Sequence, residues 1–146
     1  MRVDWYEAEV RELEAKAAPS GAVLFYGSSS IRLWSTLQQD FPDVEVVNRG
    51  FGGSTLAACV WFFERLVTPC RPRSIVFYAG DNDLGDGQSP SEVVGSLRGL
   101  LDKRDQQLGP VPLLFLSVKP SLARWTIRER LERFNELAKA EVLARQ

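Results

Sequence analysis

Four short apolar runs, each followed within two residues by glycine or serine and then by a helical pattern, constrain this chain more than any other feature. The runs are Ala22–Tyr26, Val44–Asn48, Ser74–Tyr78 and Val111–Leu116. Consecutive apolar residues over so short a length suit strands buried on both faces, as in a parallel sheet with helices on either side. Helical spacing follows each run: Ile31, Trp34 and Leu37; Leu56, Val60, Phe63 and Val67; Val93, Leu97 and Leu101; Ile127, Leu131, Phe134 and Ala138. A leading helix through Val3, Tyr6, Val10, Leu13 and Ala17 is expected to be capped by Asp4 and Glu7. Ser89 with Glu92, and Thr126 with Glu129, read as two further capping boxes. Strand and helix alternate without repeats or linkers. The expected fold is therefore α/β: one domain over residues 1–146, a three-layer sandwich around a doubly wound parallel sheet with right-handed crossovers.

Composition narrows the function classes. Lys and Arg number 18 and Asp and Glu 19, a balance that gives no electrostatic case for nucleic acid or an anionic membrane surface. A small neutral molecule is the expected partner. Cys59 and Cys70 read as idle thiols, and with no histidine in the chain the usual zinc, copper or haem ligands are too few. No metal and no cofactor are expected. Charged residues throughout Met1–Ala18 rule out the apolar core of a signal peptide, and no segment is apolar enough to span a membrane, so a cytoplasmic protein is expected.

Sheets of this kind place ligands beyond the carboxyl ends of their strands, so the four following loops should share one rim. The first loop, Gly27-Ser-Ser-Ser30, puts a serine hydroxyl at a helix start, where amides and the helix dipole favour negative charge. Taken singly, such serines are more often helix caps. The second, Asn48-Arg-Gly-Phe-Gly-Gly-Ser-Thr55, lets backbone amides reach a site without side chains in the way. The third, Ala79-Gly-Asp-Asn-Asp83, brings a carboxamide and two carboxylates to the same rim. A hydroxyl, a backbone donor and a carboxamide donor on one rim form the set that acyl transfer needs.

These blocks, in this order, resemble those of the SGNH or GDSL-like hydrolases, in the branch whose first block reads Gly-Ser-Ser-Ser-Ile. The resemblance of Phe25–Ile31 to the first block carries the nucleophile to Ser29. That of Gly50–Thr55 to the second carries an oxyanion-hole amide to Gly53, and that of Gly80–Asp83 to the third carries a side-chain oxyanion donor to Asn82. Ser117–Ser121 also resembles that branch. Asp83, Lys119 and Trp125 are candidates for the substrate cleft, whereas Trp61, Phe62 and Phe63 are expected to pack in the core. The resemblance implies a small-molecule ester substrate, either a carboxylic ester or a lipid acyl ester. Ser28 stands where many relatives carry aspartate.

The block that supplies histidine and its orienting acid has no counterpart before Gln146. By the family pattern a fifth strand, a loop and a helix of roughly 25 to 45 residues are missing. A serine without a base is a weak nucleophile, so the chain as given is expected to be inactive or nearly so, with Asp81, Asp83 and Lys119 the only rim groups to substitute. Two alternatives stand beside the hydrolase reading: a flavodoxin-like module cradling a phosphate at Gly27–Ser30, and a fragment or pseudoenzyme that keeps the fold without turnover. With the implied strand order 2-1-3-4-5, the fourth strand would be left as an exposed edge, expected to pair with a second copy or with a chain carrying the missing residues.

Overall fold

A computed structural model describes residues 1–146. A single 3-10 turn, Asp4–Tyr6, leads into α1 (Glu7–Ala15). There follow β1 (Val23–Gly27), α2 (Ser29–Arg32), α3 (Leu37–Asp40), β2 (Val46–Gly50), α4 (Leu56–Leu66), β3 (Ser74–Tyr78), α5 (Asp81–Gly85), α6 (Pro90–Leu108), β4 (Leu113–Phe115) and α7 (Arg128–Leu143). The strands form one sheet in the order β2-β1-β3-β4, with every pair parallel. The α/β architecture expected from the alternation is the one that forms.

Alternation along the strands divides the core between two faces. Leu24 and Tyr26 of β1 and Ile75 and Phe77 of β3 are fully buried, on the face roofed by α4, α6 and α7, with α6 lying between the other two helices. The Tyr26 hydroxyl donates to the Cys59 carbonyl of α4 at 2.7 Å. Phe115 of β4 meets Phe134 of α7 edge to face at 5.9 Å. Phe62 and Phe63 are fully buried in this layer, while Trp61 between α4 and solvent is exposed. The opposite face is thinly covered. Trp34 meets Phe25 edge to face and Phe41 packs on it at a tilt, and an apolar groove of about 340 Å³ remains, lined by Val23, Val46, Val76, Leu114 and Leu116 among others. No helix is long and apolar enough to cross a membrane.

Several local expectations need correcting. The segment after β1 is not one helix but two single turns, α2 and α3. Trp34 and Thr36 both donate to the Asp40 carboxylate, and this local bonding competes with a continuous helix across Ser35 and Thr36. β2 starts at Val46 and runs on to Gly50, because its register with β1 pairs Gly50 with Gly27. β4 shortens to Leu113–Phe115. Asp4 caps nothing, and Glu7 instead engages Arg11 and Arg65. The Arg65 hydrogen bonds hold its carboxyl at about 2. α7 begins at Arg128, after a 3-10 turn over Leu122–Ile127, without the Thr126 cap. Of the three boxes, the Ser89–Glu92 box forms with both reciprocal bonds.

The start of α4 is held from a distance. Thr55 accepts from the Ala58 N–H, and the Leu56 N–H donates to both Asp83 carboxylate oxygens at 2.8 and 3.0 Å. Asp83 is fully buried. Burial pushes its carboxyl above the ordinary range, opposed by the Leu56 N–H. Because the folded-state value is the higher one, this carboxyl favours folding most below its unfolded value, and that contribution declines as pH rises through the folded value. Asp83→Asn retains an acceptor for Leu56 but cannot ionise, so its denaturation midpoint should fall less than wild type as pH rises through the carboxylate range. Asp83→Ala should cost about 1–3 kcal/mol by leaving the helix start unpaired. Parallel midpoint curves for Asp83→Asn and wild type, measured by urea denaturation, would contradict this role.

Candidate active site

The carboxyl ends of the three adjacent strands meet at Gly27, which is in register with both Gly50 of β2 and Tyr78 of β3. Gly27 has φ of +140°, and a Cβ there would lie 1.9 Å from the Tyr78 carbonyl oxygen. No other residue fits. Just past it, the Ser28 N–H donates to the Tyr78 carbonyl at 2.9 Å and the Phe51 N–H to the Gly27 carbonyl at 3.0 Å. These two bonds bind the first, second and third loops at their roots.

Ser29 is the first residue of α2 and is half-buried. Its N–H has no acceptor within the protein. The Ser28 hydroxyl behind it is buried without a partner, while the Ser28 carbonyl accepts from Ile31 and Arg32. The Ser30 hydroxyl lies beside the Tyr78 hydroxyl, whose pKa is raised chiefly by burial and further by the Asp81 carboxylate.

In the second loop, the Gly52 N–H donates to the Glu9 carboxylate at 3.0 Å, and Glu9 pairs with Arg32 at 2.6 Å. Gly53 is exposed with φ of +65°; its carbonyl accepts from the Tyr6 hydroxyl at 3.2 Å, and its N–H has no acceptor within the protein. The third loop reaches across to the second. Asn82 donates through Nδ2 to the Ser54 carbonyl at 3.0 Å, and its Oδ1 accepts from Arg124 Nη2 at 2.8 Å. Arg124 Nη1 also donates to the Asp81 carbonyl.

Ser29, Gly53 and Asn82 thus lie on loops that are bonded to one another at a single rim. Asp83 does not join them: its buried carboxyl accepts from the Leu56 N–H, which has no partner within its own helix at the start of α4. Lys119 is exposed, and only its backbone N–H turns inward, to the Tyr78 hydroxyl at 3.4 Å. Trp125 is half exposed, with the Arg128 guanidinium 5.1 Å from its ring centre. Asp81 has one carboxylate oxygen buried without a partner and the other 3.8 Å from Arg124. A phosphate cradle at Gly27–Ser30 is weakened on two counts: α2 is four residues long, and the Ser28 amide is already committed to Tyr78. Arg124 and Glu9 join the rim without a motif that marks them in the sequence. Arg124 follows no periodic pattern, and its one signal is a charged residue within a short turn close after the fourth strand.

No protein-family model and no curated sequence matches the chain. Solved structures do. A GDSL-like lipase from Bacteroides thetaiotaomicron superposes with a TM-score of 0.79 at 20% identity, covering 98% of this chain and 75% of that one. An acetyl-xylooligosaccharide esterase from Geobacillus, in a mutant form, gives 0.66 at 16% identity over 89% of this chain and 75% of its own. A Bacteroides fragilis protein described as an acylhydrolase gives 0.73 at 17% identity, covering 94% and 71%. At these identities the likeness speaks for architecture, and the architecture of this chain is that of the SGNH and GDSL-like hydrolases.

Proposed function

We propose that this chain is the scaffold of a serine ester hydrolase acting on a small carboxylic ester or lipid acyl ester. The observation that carries the reading is a set of hydrogen-bond donors left without acceptors on the three loops joined at the rim, the first of which carries the half-buried Ser29 hydroxyl: the N–H groups of Ser29 and Gly53, and the second N–H of Asn82. Ser29 Oγ attacks the acyl carbon, forming a C–O bond as the carbonyl π electrons move onto oxygen. The three donors receive that oxyanion. The Ser29 proton passes to solvent water. Collapse breaks the bond to the leaving oxygen, which takes a proton from water and departs as the alcohol, and a second water hydrolyses the acyl-serine, releasing the acid and restoring the hydroxyl.

The proton on Ser29 is the difficulty, since the 146 residues include no imidazole. Loss of the base from a serine triad costs about 10⁶ in kcat, and the oxyanion hole with binding leaves roughly 10³ to 10⁴ over water. On their own, these residues are therefore expected to turn over esters slowly. An intact-mass assay with a fluorophosphonate tests the reading. One adduct on Ser29 should form slowly in buffer, faster with added imidazole, and not at all in Ser29→Ala. Adducts that persist in Ser29→Ala, or none with imidazole present, would refute it.

We also infer that a second copy pairs at the β4 edge. Pro112 and Leu116 bond inward to β3, which in a parallel strand turns the groups of Leu113, Phe115 and Ser117 outward. Only the Leu113 carbonyl among them is met, by Gln146, and Leu114 is 59% exposed. Light scattering at high concentration should report a dimer or larger species; a monomer throughout would contradict it.

A further inference from the structure

We propose that Arg124 is a positioning residue that decides which end of the Asn82 carboxamide faces the site; the proposal rests on the hydrolase reading above. The two ends of an asparagine amide differ little in shape and are told apart by their bonding. Arginine carries donors only, so the atom 2.8 Å from Arg124 Nη2 is the amide oxygen. A backbone carbonyl only accepts, so the atom 3.0 Å from the Ser54 oxygen is the amide nitrogen. Both partners impose one orientation. Of the two amide hydrogens, one is spent on Ser54 and the other has no acceptor within the protein. A flipped amide would instead turn oxygen lone pairs toward the developing negative charge and press its N–H groups on the guanidinium.

A cation on the amide oxygen also polarises the amide and strengthens its N–H groups as donors. Arg124 is itself held in place. It donates to the Asp81 carbonyl, lies 3.8 Å from the Asp81 carboxylate, and rests on the bare backbone of Gly85, where a Cβ would come within 2.9 Å of its Cζ. The aspartate and the glycine of α5 therefore act on the reaction through Arg124 without touching the substrate.

Phenylboronic acid provides a test that needs no catalytic base. Boron accepts the Ser29 oxygen to form a B–O bond, the serine proton passes to solvent, and the resulting anionic tetrahedral boron offers an oxygen to the three donors. The dissociation constant is read by ¹¹B NMR. Arg124→Met should weaken binding about tenfold, short of the roughly 10²–10³ lost when an oxyanion donor is removed outright. In an Asn82→Ala background the same change should cost nothing further, which a merely structural role would not produce. Gly85→Ala, which keeps every charge and suits a helix, should weaken binding a few-fold by displacing the guanidinium; this serves if Arg124→Met does not fold. Equal affinity of wild type and Ser29→Ala would overturn the hydrolase reading and this proposal with it. Ser29-dependent binding that Arg124→Met and Gly85→Ala leave unchanged, or equal losses from Arg124→Met with and without Asn82, would overturn the role of Arg124 alone.

Discussion

The site depends on a side chain that is not there. At Gly27 the backbone of β1 turns against the Tyr78 carbonyl so closely that a methyl group would overlap it, at 1.9 Å. That approach allows the Ser28 N–H to bond to β3 while the Gly27 carbonyl receives Phe51 from the loop after β2. Three strand tips are thereby joined within two residues of one another, and Ser29 emerges at the junction as the first residue of a helix. A larger residue at this point would separate the loops whose meeting defines the rim.

Several polar groups at the rim are bonded in fixed directions. Asp83 is turned down onto α4, Asn82 is held between Ser54 and Arg124, and the Gly52 amide is occupied by Glu9. Left without partners are the N–H groups of Ser29 and Gly53 and one N–H of Asn82, together with the buried Ser28 hydroxyl and one Asp81 carboxylate oxygen. A site that must stabilise an alkoxide benefits from donors fixed in advance, because they need no reorganisation when charge appears.

Much of this was legible in the sequence. Parallel strands buried on both faces leave continuous apolar runs, and those runs placed β1 and β3 to within a residue of the observed spans. The Ser89–Glu92 box was readable because its bonds are local. What was not readable came from partners distant in the chain. The capping roles expected of Asp4 and Thr126 are absent: Asp4 lies within a 3-10 turn, Arg65 claims the expected partner Glu7 from 58 positions away, and the turn over Leu122–Ile127 takes in Thr126. Asp83 could be assigned to a loop but not to the start of α4, 27 positions earlier. Arg124 meets Asn82 across 42 positions, and no spacing rule joins them.

Whether donors from three separate loops meet at one oxygen bound through Ser29 comes down to three distances. A crystal structure of the chain carrying a phosphonate on Ser29 measures this directly. The phosphoryl oxygen should lie about 2.7–3.1 Å from each of the Ser29 nitrogen, the Gly53 nitrogen and Asn82 Nδ2. A phosphoryl oxygen directed into solvent, out of reach of Asn82 Nδ2, would exclude that convergence.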